Sequence, residues 1–363
     1  MKKIFFTGVT GFLGRFLAVE MLKKGWEIIF LIRPGKMSVD DRLTEALNFV
    51  ESQAAQVYKN QWTVIAGDVT WNNFGIEDLH ILSNVEEFWH VAGAVTFSEI
   101  ERDITFKINL DGVKNLTKIA EKVNISRLHY FSTAYIREPG VSTMIEETKD
   151  SLFHEKGCNP YERSKNFAER HIHKWAKRHP DVNVCVYRPS IVVGNSKSGK
   201  MYGFTGYYRV MQTFHTFACA GKIAKEMSVP GRSDATVNLV TVDWVVDMVM
   251  KIQHIKDVAG IFHLTNEAPP NYEWLLESSL RALDISCSPV VAGQISANKE
   301  QMRIEKMFKR GLKDYIPYIS EDVKFSTNHL KNILGEAYKE HPSFNDKLVK
   351  TLLDYAVRAR FGN

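Results

Sequence analysis

Tyr161 and Lys165 stand four residues apart in the stretch YERSK. On a helix that spacing puts both side chains on one face. A free tyrosine titrates near ~10, and a neighbouring ammonium favours its phenolate. The pair therefore reads as an acid–base couple, with Lys165 easing proton transfer by Tyr161 near neutral pH. Any helix start can carry a Tyr and a Lys, so the pair alone decides nothing. A second stretch, HYFSTAYI, ends an apolar run with Ser132 and Thr133. Open parallel sheets place their sites outside the carboxyl ends of the strands. A hydroxyl there can hydrogen-bond the oxygen of a reacting carbonyl. Thr133 is the first candidate and Ser132 the second. The alternative is a hydroxyl that only satisfies backbone groups at a strand end.

Such a couple needs a hydride source, and the start of the chain offers a place for one. TGVTGFLG, residues 7–14, follows the apolar run KKIFF and carries Gly8, Gly11 and Gly14 at every third position. In a first βα turn, one glycine makes the tight turn, one lets the backbone approach a pyrophosphate, and one packs the helix on the sheet. The free N–H groups of the helix then face the phosphates. A purely structural turn would use the same residues. The second expected strand, EIIFLI, leads to Arg33, nineteen residues after Gly14. A dinucleotide fold usually carries Asp or Glu there, to hold the adenosine ribose. A guanidinium instead fits a 2′-phosphate, and Lys36 and Arg42 are near in sequence. The residues predict NADP(H) rather than NAD, the alternative being a solvated surface arginine. Residues 194–200, GNSKSGK, imitate a P-loop, but Met201 fills the Ser/Thr position and leaves no hydroxyl for magnesium.

The elements that must position these groups alternate. Apolar runs at 3–6, 27–32, 63–66, 87–91, 128–132, 183–187 and 261–264 read as strands buried on both faces. Helical patterns at 15–24, 40–56, 108–122 and 164–178 lie between them. Alternation over some 190 residues argues an α/β, Rossmann-type doubly wound parallel sheet. After Pro189 the rhythm changes to loops and helices. The expected division is a dinucleotide-binding unit at 1–193 plus about 237–265. A smaller, mostly helical substrate unit takes about 194–236 and 266–363.

Composition narrows the class. The chain has 363 residues, 44% of them hydrophobic and 25% charged, as an ordinary globular protein does. The net charge is +5, and residues 299–363 carry 13 Lys and Arg against 9 Asp and Glu. Those basic residues are interleaved with acidic ones, which supports no nucleic-acid partner and at most peripheral membrane contact. No apolar run is long enough to span a bilayer, and the short start reads as a buried strand rather than a leader. The four cysteines, Cys158, Cys185, Cys219 and Cys287, are scattered. With no CxxC and no HExxH, no metal site is expected, and a reducing, cytoplasmic setting is.

At this point the chain resembles the extended short-chain dehydrogenase/reductases. TGVTGFLG, GDV at 67–69, HVAGAV at 90–95, NLDGVKNL at 109–116, FSTA at 131–134, YERSK at 161–165 and YRPSIVVG at 187–194 run in family order. LIRPGKMSVDDRL, GDVTWNNFGI, FWHVAGAVTF and VNLVTVDWVVDMV make it look most like the thioester-reductase and fatty acyl-CoA reductase branch, also called male-sterility-like. The resemblance implies Thr133, Tyr161 and Lys165 as a catalytic triad. It implies cofactor contacts at Gly8, Thr10, Gly11, Phe12, Leu13, Gly14, Asp68, Val69, Ala92, Gly93, Asn109, Pro189, Ser190, Ile191 and Val192, and at Tyr161 and Lys165 themselves. Arg33 and Arg42 would both meet the 2′-phosphate.

The implied activity is reduction of an acyl thioester, on CoA or a carrier protein, to an aldehyde and on to an alcohol. The expected enzyme is free-standing, acts in trans, and is a monomer or homodimer. The aromatic stretch 201–221 is expected either to line an acyl channel or simply to pack a core. Two alternatives keep the triad, a dihydroflavonol-type aldehyde or ketone reductase and a nucleotide-sugar epimerase or dehydratase. A third is a non-catalytic NADP-binding scaffold or sensor.

Overall fold

The computed structural model describes residues 2–136, 144–148, 157, 159–293 and 298–362. Cys158 lies outside them; Cys185, Cys219 and Cys287 are free thiols. All the expected strands form. They are β1 (Lys3–Thr7), β2 (Glu27–Ile32), β3 (Trp62–Ala66), β4 (Glu87–His90), β5 (Arg127–Phe131) and β6 (Asn183–Pro189). The short β7 (Ile191–Val193), β8 (Glu226–Val229) and β9 (Leu239–Thr241) follow, then β10 (Gly260–Leu264). The sheet runs β10-β6-β5-β4-β1-β2-β3, with every neighbouring pair parallel.

The strands alternate their side chains between two cores, as the period of two requires. Ile28 and Phe30 join the cluster that holds Leu17 and Met21 of α1 (Phe12–Lys23). Ile29 and Leu31 point the other way, into a cluster with Val113, Leu116, Ala168 and Ile172. Helices therefore cover both faces, and the sheet is a Rossmann-type doubly wound α/β sheet. Strand order reverses at β1, which has β2 on one side and β4 on the other. Ligand sites of such sheets lie at this switch point.

Helix boundaries depart from the sequence pattern where local chemistry intervenes. The expected helix at 40–56 splits into α2 (Val39–Val50) and the single turn α3 (Ala54–Val57), because Gln53 takes a left-handed φ of 63°. The Ser38 hydroxyl caps α2, accepting from the Asp41 N–H. The helix expected from 108 begins earlier, as α4 (Arg102–Phe106), and runs through a wide π turn at Lys107–Asp111 into α5 (Gly112–Val123). The helix expected from 164 begins at Pro160. In α6 (Pro160–Arg178) Asn159 is the cap, accepting from the Glu162 N–H, and Pro160 fixes the first turn.

The later segments are α7 (Tyr207–Cys219), α8 (Val242–His254), α9 (Tyr272–Ala282), β11 (Ser288–Val291), α10 (Lys299–Gly311), α11 (Ile316–Ser320), α12 (Asn328–Leu334) and α13 (Asp346–Arg358). They are not helical throughout, since β8 pairs with β11 and β7 with β9. A third core, with Met211, Phe214, Leu276, Phe308 and Leu352, gathers α7, α9, α10 and α13. Among the described residues no helix is long and apolar enough to cross a membrane.

Candidate active site

The three glycines do three different things. Gly8 has a φ of +88°, and a Cβ on it would collide with the backbone of Val91 and Ala92, just past β4. Gly14 lies so close to the Gly8 carbonyl that a Cβ there would overlap it, which packs α1 onto the turn. A Cβ on Gly11 would meet only that carbonyl, at 3.2 Å, and Gly11 lines a cavity. Gly8 and Gly14 are thus needed by the fold, while Gly11 keeps the backbone open to a ligand.

Opposite this turn stand the tips of β4 and β5 and the first turns of α6. Thr133 follows β5, and its hydroxyl is hydrogen-bonded to the Tyr161 phenol. Lys165 lies one turn further along α6, and its Nζ donates to the Phe131 carbonyl at 2.8 Å. Asn109, carried inward by the π turn, accepts from the Ala94 N–H at 2.8 Å and donates to the Ser164 hydroxyl at 2.9 Å. That hydroxyl in turn donates to the Tyr161 carbonyl at 2.8 Å. A Cβ on Gly93 would sit 3.0 Å from Lys165 Nζ and 3.3 Å from Asn109 Oδ1. A side chain at Gly93 would therefore press on the Lys165 amine and the Asn109 amide, which would have to give by a few tenths of an ångström.

The electrostatics correct one expectation. Burial raises the Tyr161 phenol to about 12, against the opposing effect of its Thr133 hydrogen bond, and Glu162 adds to the rise. The phenol does not sit below its ordinary value, because desolvation dominates and the Lys165 amine is committed to a backbone carbonyl. Tyr161 is therefore a protonated donor across the neutral range. Burial lowers Lys165 to about 8, with Glu169 pulling the other way. His90, behind the site, is pushed down to about 3 by burial and by the Lys165 charge, so it is a neutral partner of Thr7.

A cavity of about 430 Å³ joins these parts, within the range of small-molecule sites. Its wall includes Gly8, Gly11, Phe12, Leu13, Gly14, Gly93, Thr133, Tyr161, Lys165, Pro189, Ser190, Ile191 and Val192. The Ser132 and Ser190 hydroxyls also face this region. Both are buried and have no hydrogen-bond partner among the described residues, which suits a polar ligand.

Other expected residues lie outside that wall. Thr10 receives the Arg15 guanidinium on its carbonyl at 2.7 Å. Ala92 backs onto Gly8, and Asn109 stands behind Gly93. Asp68, past the tip of β3, accepts from the Thr70 N–H at 2.8 Å, and Val69 packs on Gly112. Arg33 is exposed just beyond β2, and the Arg42 guanidinium donates to its carbonyl. The P-loop imitation is spent on structure, since Lys200 Nζ donates to the Phe49 and Val50 carbonyls at the end of α2, both at 3.2 Å.

Phe97 and Tyr318 line the cavity without having been expected there, and Tyr202 and Gly206 line it from the aromatic stretch expected either at an acyl channel or in a core. Tyr318, on α11, stacks on Phe97 with ring centroids 5.6 Å apart. It also hydrogen-bonds Glu162 and accepts from Asn159 Nδ2 at 2.8 Å, which ties the C-terminal segment to the start of α6. Phe97 closes the stretch FWHVAGAVTF and Tyr318 lies in DYIPYISED, and neither has a spacing that marks it as a site residue.

Residues 6–249 match the family model described as male sterility protein. The chain belongs to the male sterility protein family. It is an extended short-chain dehydrogenase/reductase of the thioester-reductase and fatty acyl-CoA reductase branch. It is 31% identical to the fatty acyl-CoA reductase wat of Drosophila melanogaster over 145 residues, covering 37% of this chain and 28% of that protein. It is 26% identical to a UDP-glucose 4-epimerase of Pisum sativum over 203 residues, 55% of each. The chain thus spans about half or less of the length of these curated relatives. Among solved structures it resembles the terminal R domain from the myxalamid PKS-NRPS biosynthetic pathway, with a TM-score of 0.79 at 21% identity. That likeness covers 99% of this chain and 92% of the other and extends the shared fold through the C-terminal segment.

Proposed function

We propose that this protein reduces the carbonyl of an acyl thioester, carried on CoA or a carrier protein, to an aldehyde with NADPH, and can take the aldehyde on to an alcohol. The observation that carries this reading is that Thr133, Tyr161 and Lys165 line one cavity at the tip of β5, across from the glycine turn. The site suits a dinucleotide. Gly11 leaves the turn open, Ser132 and Ser190 offer unpaired hydroxyls, and the exposed Arg33 after β2, with the Arg42 guanidinium on its carbonyl, supports a 2′-phosphate contact. We assign the cofactor to 1–193 plus about 237–265 and the substrate to the remainder.

NADPH, when bound, supplies the hydride to the carbonyl carbon. The Thr133 and Tyr161 hydroxyls hydrogen-bond the carbonyl oxygen and stabilise its growing negative charge. Tyr161 then gives its proton to that oxygen, and the Lys165 ammonium offsets the phenolate left behind. The hemithioacetal breaks its C–S bond, releasing aldehyde and free thiol. The branch of the family and the likeness to an R domain support the substrate class.

A nucleotide-sugar epimerase is the second reading, favoured by the likeness to the Pisum sativum enzyme. Arg33 in place of an acid speaks against it. NADPH oxidation with acyl-CoAs, aldehydes, ketones and nucleotide sugars separates the two. Turnover of thioesters supports the proposal, and epimerisation of a nucleotide sugar without net NADPH use overturns it.

A further inference from the structure

Beside the catalytic cavity lies a smaller recess between α7, α9 and α11. Phe97, Ile191, Gly206 and Tyr318 belong to the walls of both. These four residues are the boundary that the recess shares with the catalytic cavity. Beyond that boundary the wall is entirely apolar, with Val210, Met211, Leu275 and Leu276 among its residues. Tyr207, Tyr272 and Tyr315 line it as well, and the hydroxyls of the first two are engaged elsewhere. Tyr207 pairs with Ser279 Oγ at 2.7 Å, and Tyr272 donates to the Pro230 carbonyl at 3.0 Å. These two rings therefore present carbon and no donor. The volume is about 60 Å³, well under the ~150 Å³ that accepts a benzene ring.

We infer that this recess is the subsite for the far end of the acyl group, and that it selects a short, unsubstituted apolar group. The inference rests on the thioester-reductase reading and sharpens it. A sugar or a polar peptidyl end would bury hydroxyl or amide groups against a wall whose exposed surface is apolar, and an unpaired buried polar group is costly. A chain longer than the recess would have to displace Met211 or Leu276, which are buried in the third core.

The test is a chain-length series of acyl-CoA thioesters, and of the matching free aldehydes, assayed with NADPH. A parallel series carries a terminal hydroxyl. For the unsubstituted chains kcat/KM is expected to rise by about fourfold per methylene up to a short optimum and then to fall at least tenfold. The terminal hydroxyl is expected to cost at least tenfold at the optimum. Leu276→Ala should move the optimum to longer chains and Met211→Phe to shorter ones. Melting temperature and NADPH affinity report whether each variant is folded.

Thermal shifts with the same acyl-CoAs and NADP⁺ read binding without turnover. Length-dependent binding with no thioester reduction keeps the recess and removes the reaction proposed above. A flat length profile, in turnover and in binding, overturns the inference, and so does preference for the hydroxylated chains. Thioester reduction with a flat profile overturns it while leaving the reductase reading intact.

Discussion

Lys165 Nζ lies 2.8 Å from the carbonyl oxygen of Phe131, the last residue of β5. The two residues that follow are Ser132 and Thr133. Through this one hydrogen bond α6 is anchored to the strand tip that carries Thr133. Asn109 fixes the same helix from the opposite side through Ser164. The acid, the amine and the threonine are therefore set by backbone geometry from three separate elements.

Tyr161→Phe removes the acid and one oxyanion donor while keeping the ring that packs beside Phe97. We expect kcat to fall by about 10²–10⁴ with NADPH affinity unchanged. Thr133→Ala should cost about 10²–10³. Steady-state rates together with fluorescence titration of NADPH check both. Full activity of Tyr161→Phe would remove it as the acid.

The pH dependence of turnover should follow Lys165. Burial lowers it to about 8, so it is an ammonium below that pH and loses its charge above. Tyr161, near 12, stays protonated throughout. kcat/KM should therefore fall as pH rises through about 8, and the alkaline limb should vanish in Lys165→Met. An alkaline limb that persists in the variant at the same pH assigns it to another group.

Arg33 and Arg42 should decide cofactor preference. A charge-assisted hydrogen bond to a 2′-phosphate is worth about 1.5–3 kcal/mol. Arg33→Ala should thus weaken NADPH by about tenfold or more and NADH hardly at all. Equal weakening of the two cofactors counts against a phosphate contact. Arg42→Ala tests the partner role, since its guanidinium already holds the Arg33 carbonyl.

Sequence made the dinucleotide half legible because its signals are local. The glycines, the strands buried on both faces and the spacing of Tyr161 and Lys165 are each readable within a few residues. What it missed depends on contacts across the chain. The fate of the Lys165 amine could not be read, because its acceptor is the Phe131 carbonyl on another element. Tyr318 is separated from Glu162 by 156 positions. The π turn that aims Asn109 inward has no signature in NLDGVKNL. Helix 40–56 was read too long because Gln53 gives no warning of its left-handed backbone.

Glu169 and Arg188 form a fully buried ion pair, with Arg188 Nε 3.0 Å from Glu169 Oε1. Burial alone would raise Glu169, but Arg188 and His173 outweigh it and hold the carboxyl at about 2. A depressed carboxylate contributes stability above its unfolded value of about 4.5 and loses it as pH falls toward 2. Glu169→Ala leaves the guanidinium unpaired, and we expect a loss of about 3–5 kcal/mol. Urea unfolding measures it; a loss under about 1 kcal/mol, the scale of an exposed surface pair, would refute the buried pairing.

Glu147 has the opposite sign. Its carboxylate accepts from the backbone N–H groups of His263 at 2.8 Å and His329 at 2.6 Å, joining β10 to the start of α12. Those bonds favour the charge, yet burial is the larger effect and pushes the group up to about 7. A raised carboxyl binds its proton more tightly in the native state, so stability falls as pH climbs from about 4.5 to about 7. Glu147→Gln keeps an acceptor and removes the buried charge. Relative to the parent, its Tm should be higher at about pH 8 by a few degrees and should lose that advantage at about pH 4. A variant equally destabilised at both pH values would mean that the backbone bonds, rather than the desolvated charge, set the energetics at this position.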